Sequence, residues 1–126
     1  MARPQSKSST ENQVDLTRAT MAREIFSDVT SKWALLIVEA LGTRTLRFTE
    51  LHNALEGISH KVLTQNLRML ERNGLLERHV IPTVPPRVEY TLTEPGRDLR
   101  TAVDALCYWT QQHLNHITTA RDRFDT

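Results

Sequence analysis

The 126-residue chain has a single cysteine, Cys107, so no intramolecular disulfide can form, and a reducing cytoplasm is the expected compartment. It has only four glycines, at 42, 57, 74 and 96, too dispersed to build a phosphate-cradling loop. Aromatic residues are scarce at 6%, and Tyr90, Tyr108 and Trp109 do not recur along one strand face, which argues against a base-stacking platform for single strands. No apolar run approaches the roughly 20 residues that span a bilayer, so no membrane association is expected. The opening MARPQSKSSTENQ is polar and has no apolar stretch, unlike a secretory signal. No nucleophile is found with a base: Cys107 and His113 fall on different sides of one helical pattern, and the carboxylates are scattered. No enzyme is expected. His113 and His116 have helical spacing without a third ligand nearby, so neither a metal nor a cofactor is expected.

Charge of one sign is also lacking. Sixteen Lys and Arg face fifteen Asp and Glu, a formal net charge of +1, which is not that of a generally basic nucleic-acid binder. The balance is uneven along the chain. Residues 44–90 carry seven basic against five acidic residues, whereas 93–126 carry four arginines against five acids. Any electrostatic argument therefore rests on where the charges are placed.

What is present is a dense series of helix signals broken by one hairpin. Residues 1–15 are expected to be a flexible polar tail, residues 16–118 one domain, and 119–126 a short C-terminal tail. A loose helical pattern runs from Leu16 to Phe26. TSKWALLIVEALG follows, with Trp33, Leu36, Ile37, Ala40 and Leu41 on one stripe and Leu35 and Val38 beyond it, the mark of a central buried helix. Thr30 or Ser31 can cap it and Gly42 can end it. TRTLRF reads as a short strand. Thr49 is the expected cap of a short helix, ELHNALEG, with Leu51, Ala54 and Leu55 inward. Ser59 then caps a helix that closes at Asn73-Gly74. Two helices on so short a joint form the helix-turn-helix pattern.

LLERHVI and RVEYTLT flank PTVPP, and Val88, Tyr90 and Leu92 alternate with polar residues, so this region reads as an antiparallel hairpin with a proline-rich tip. Helix, helix, helix, hairpin is the order of a winged helix. Thr93-Glu94-Pro95 opens a long last helix with Leu99, Val103, Leu106, Trp109 or Thr110, and Leu114 in an approximate heptad. The expected fold class is mainly α with a small β component, a winged helix-turn-helix with added N- and C-terminal helices.

The helix ISHKVLTQNLRMLERNGLL carries the functional signal. At 100° per residue, Lys61, Thr64, Gln65, Arg68 and Arg72 fall within about 100° of one another, opposite Leu63, Leu67 and Leu70. An ordinary solvated helix face tends to mix both signs, but this stripe contains no acid. Arginine, glutamine and threonine reach base edges and phosphates, and Ser59 and His60 stand at a helix N-terminus where free N–H groups meet phosphates. Within a winged-helix order, the stripe reads as a surface for double-stranded DNA. Arg78 and His79 on the first hairpin strand and Arg87 beside the tip are candidates to reach a phosphate backbone or minor groove, with Arg47 before the motif a further phosphate candidate, against the plainer reading of a charged edge strand. The competing function is a protein–protein adaptor whose basic stripe meets an acidic partner.

SKWALLIVEAL, RFTELHNALEGISHKVLTQNLRMLERNGLLER and VPPRVEYTLTEPGRDL together resemble the HxlR family of bacterial winged-helix (MarR-like) regulators, from about Ile25 to Trp109. The resemblance implies a homodimer formed by the N- and C-terminal helices, with the helix of residues 59–73 in the major groove. It also implies a wing of residues 76–93 on the backbone or minor groove, and a palindromic operator bound usually for repression and sometimes for activation. A small-molecule effector is a further candidate partner, and Trp33 reads as core packing, with an aromatic wall of an effector pocket as its lesser alternative. One departure stands out. Many members carry a sensing cysteine about a dozen residues before the Lys-Trp pair, where this chain has Thr20 and Met21; Thr30 and Ser31 replace glycines. Cys107 is therefore the only candidate redox residue, against the plainer expectation of a small residue buried in the dimer interface.

Overall fold

The computed structural model describes residues 9–126. Its elements are α1 (Ser9–Val29), α2 (Lys32–Leu41), β1 (Leu46–Arg47), α3 (Phe48–Ala54), α4 (His60–Arg72), β2 (Leu76–Ile81), β3 (Arg87–Leu92), α5 (Glu94–Gln112) and α6 (Leu114–Asp125). The three strands form one antiparallel sheet in the order β1-β3-β2. The expected mainly helical winged fold is what forms.

The core is aliphatic. Ile37 and Leu41 from α2, Leu51 from α3, and Leu63 and Leu70 from α4 are fully buried against Leu76, with Tyr90 and Leu92 closing the cluster from the sheet. Each such leucine removed would cost about 2–5 kcal/mol through lost burial and the cavity left behind. The buried side of α2 is Ala34, Ile37, Val38 and Leu41. Trp33 and Ala40 pack partly against the core, and Leu36 remains 39% exposed, so the stripe read from periodicity is rotated. In a segment apolar almost throughout, spacing alone does not single out one face.

The termini of the elements depart from expectation in instructive ways. The tail expected over residues 1–15 is helical from Ser9 onward; residues 1–8 lie outside the described residues. The tail expected over 119–126 is helical as far as Asp125. The long last helix is two, joined at His113, whose ring lies 5.2 Å from that of Trp109. α3 begins one residue before Thr49: Arg47 is its N-cap, and the Glu50 carboxylate accepts the Arg47 N–H at 2.9 Å. Ser31 precedes α2 without a side-chain cap bond.

Two apolar surfaces find no cover among the described residues. α1 exposes Leu16, Met21, Ile25 and Phe26, and α5 and α6 expose Leu106, Tyr108, Trp109, Leu114 and Phe124. Cys107, expected in a buried interface, is exposed on α5 in the single chain. No helix among the described residues is long and apolar enough to cross a membrane.

Candidate nucleic-acid interface

The turn between α3 and α4 is set by Gly57, whose φ of 87° is a left-handed value that favours glycine, and by Ile58, which is buried. Ser59 then caps α4: its Oγ accepts the Val62 N–H at 3.1 Å. With Leu63, Leu67 and Leu70 held in the core, Lys61, Thr64, Gln65, Arg68 and Arg72 are left exposed on the outer side. Asn66 is turned aside, its amide donating to the Val62 carbonyl at 2.9 Å. The helix closes at Gly74, φ 72°, where the Leu75 N–H returns to the Leu70 carbonyl at 2.9 Å.

The sheet brings a second set of groups to this surface. Arg78 pairs in register with Tyr90 and therefore shares its face of the sheet, the face turned toward the helices. Thr64, Arg68, Glu71, Arg78 and Tyr90 line one cleft of about 440 Å³ between α4 and the wing. Arg68 and Arg78 thus stand in the same cleft although ten residues separate them, with Glu71 as the one acid beside them.

Arg47 and Arg87 belong elsewhere. They line a second cleft, about 530 Å³, between the start of α3 and the wing tip, together with Thr49, Val84 and Pro85. Arg87 shares the opposite sheet face with Glu89, and its Nε lies 3.3 Å from Glu89 Oε1. Arg47 is the register partner of Glu89 across β1 and β3. Both arginines therefore have Glu89 as a neighbour on this face. On the same outer face, His79 Nε2 is 3.2 Å from Thr91 Oγ1 and 3.4 Å from Glu77 Oε2.

His60, the first residue of α4, is exposed yet engaged by neighbouring rings. Its ring packs 4.2 Å from that of His52 and 5.4 Å from that of Phe48. Helical spacing does not single out His52, because the turn, not the helical repeat, brings it to His60. His113 and His116 lie on the α5–α6 side, and no three His, Cys, Asp or Glu side chains among the described residues converge as a metal site.

A buried-leucine helix set on a glycine turn, presenting an acid-free polar stripe beside a β-hairpin, defines a winged helix-turn-helix protein. The family model described as HxlR-like helix-turn-helix matches residues 28–118, and the chain belongs to that family. It is 42% identical over 101 residues to the uncharacterized HTH-type transcriptional regulator YtfH of Escherichia coli (strain K12), covering 80% of each chain. Among solved structures it is similar to ytfH from Salmonella typhimurium, with 40% identity, a TM-score of 0.73, and 80% and 90% of the two chains covered. It is also similar to the redox regulator HypR in its reduced form, with 30% identity, a TM-score of 0.70, and 78% and 97% covered.

Proposed function

We propose that this DNA-binding regulator acts as a homodimer on a palindromic operator, with α4 of each copy in a major groove and the wing alongside. The observation that carries the reading is the face of α4: Lys61, Thr64, Gln65, Arg68 and Arg72 are exposed without an acid among them, while Leu63, Leu67 and Leu70 anchor the helix from behind. Lys61, Thr64, Gln65 and Arg68 supply base readout, and Ser59, Arg72 and Arg78 supply phosphate contacts. His60, Arg47 and Arg87 are further backbone contacts, the last two tempered by Glu89. The uncovered apolar faces of α1, α5 and α6 support pairing with a second copy, which would set two half-sites about one helical turn apart. Occupying a promoter in this way would repress it.

The thiol switch of related redox regulators does not carry over, since Thr20 and Met21 occupy the expected cysteine position and Cys107 is on a different helix. A fluorescence-anisotropy titration against the chain's own upstream promoter DNA, at two salt concentrations, tests the reading. Tight, sequence-dependent and salt-sensitive binding is expected. Binding no stronger to promoter than to random duplex would favour the adaptor reading instead.

A further inference from the structure

The wing tip offers DNA almost nothing that is charged or polar. Residues 82–86, Pro-Thr-Val-Pro-Pro, contain no ionisable side chain. Three of the five lack an N–H. The Thr83 N–H donates to the Ile81 carbonyl at 2.8 Å, and the Thr83 hydroxyl donates to the Pro85 carbonyl at 2.8 Å. The nearest cation, Arg87, is paired with Glu89 back along the strand. What the tip does present is Val84, fully exposed, with Val80 half exposed on the strand below it.

A tip of this kind has little use as a phosphate clamp, which needs donors and positive charge. It suits a surface lined by C–H groups, and beside the major groove that surface is the minor groove with its two deoxyribose walls. The groove is about 6 Å wide, which admits a tip one side chain across. The hairpin that carries Val84 already borders the α4 cleft through Arg78 and the α3 cleft through Thr83 to Val88, so the tip continues the DNA-facing surface.

We propose that the wing reads the minor groove by shape rather than by charge, with Val84 as a specificity-determining residue that disfavours G·C pairs where the tip is seated. This rests on the DNA-binding reading above. A·T pairs narrow the groove and bring both walls against the tip. Guanine instead places its N2 amino group on the groove floor, in the volume the isopropyl group needs and where the side chain offers no acceptor. Because the contact involves no ion pairing, it adds discrimination without adding salt dependence.

The test uses the full chain and duplexes built on its selected binding site, differing only in the flank under the wing: A·T, G·C or inosine·C. Inosine keeps the major-groove face of guanine but lacks the N2 amino group, so it isolates the minor groove. Wild type is expected to bind the A·T and inosine·C flanks on the order of tenfold more tightly than G·C. Val84→Ser should erase that difference at an unchanged salt slope. Val84→Lys should strengthen binding to all three flanks and steepen the slope by about one ion. The Val84 side chain is fully exposed, so these variants retain the fold. Equal binding of wild type to the three flanks, or an intact preference in Val84→Ser, would overturn the proposal while leaving the regulator reading standing. Failure of wild type to prefer the selected site over random duplex would instead remove the DNA-binding reading and this inference with it.

Discussion

The Thr93 hydroxyl donates a 2.6 Å hydrogen bond to the Gly74 carbonyl, tying the first turn of α5 to the residue that ends α4. The same oxygen accepts the Gly96 N–H at 3.3 Å, and the Thr93 N–H donates to the Leu75 carbonyl at 3.1 Å. The helix proposed to enter DNA and the helix proposed to pair with a second copy are thus joined through one side chain. Gly96 is required for this approach, since a Cβ there would lie 2.0 Å from the Leu75 carbonyl oxygen.

Thr93→Val should therefore lower stability by about 1–2 kcal/mol, because it removes a helix cap and leaves the Gly74 carbonyl without its partner. Thr93→Ser keeps the hydroxyl and should melt close to wild type. Gly96→Ala should be worse than Thr93→Val, since backbone must move to admit the methyl group. Thermal melts of the three variants check the order, and a Thr93→Val protein as stable as wild type would show that the clamp contributes nothing.

Arg68 and Arg78 share a cleft, yet their variants should behave differently. Arg68→Ala, on the helix face, should alter which base is preferred at one position of each half-site, with a loss of about 1–3 kcal/mol on the native site. Arg78→Ala should weaken specific and random duplex alike and reduce the salt slope by about one. Binding-site selection with each variant, followed by titration at several salt concentrations, separates the two. Identical effects on selected and random DNA would refute the division.

Glu89 pairs with Arg87 and lies opposite Arg47 in the strand register. Glu89→Gln should raise affinity for all duplexes and steepen the salt dependence, because Arg87 is then free to meet a phosphate. If Arg87→Ala in the Glu89→Gln background abolishes the gain, the arginine is its source. An unchanged affinity in Glu89→Gln would mean that Glu89 does not hold Arg87 back from DNA.

Most of the fold is legible in the sequence wherever burial imposes a period. Leu63, Leu67 and Leu70 mark the inner side of α4, and Val88, Tyr90 and Leu92 mark the inner side of β3, because each set packs on the core within the chain. α1 was legible only in part. Most of its large apolar residues, Leu16, Met21, Ile25 and Phe26, face out of the single chain, and residues 10–15 are helical with every side chain exposed, so no buried face announces them. Contacts across a turn or strand pair were harder still. His52 meets His60 through the Gly57 turn, a pairing that helical spacing does not encode. Arg87 and Glu89 are two apart on one strand, so their shared face follows from the alternation, yet their pairing also depends on Arg87 folding back from the tip. The charge stripe of α4 follows from the helical repeat, whereas its continuation through Arg78 depends on the strand register with Tyr90, which the repeat does not encode.

The contact between α2 and α5 should respond to pH. Arg100 Nη2 lies 3.6 Å from Glu39 Oε1. Burial, then a hydrogen bond with Asp104, then the Asp104 charge raise the Glu39 carboxyl above its ordinary 4.5, against the opposing pull of Arg100. The folded state therefore holds the Glu39 proton more tightly than the unfolded chain does. Its stabilising contribution is complete below the ordinary value and is lost as pH rises through the raised one. Glu39→Gln removes that titration while keeping the shape and a donor for Asp104. The variant should be modestly more stable than wild type at neutral pH, and the difference should shrink as pH falls toward about 4.5. Melting curves of both proteins across that range provide the check. A difference that stays constant with pH would mean that Glu39 is not the titrating group at this joint.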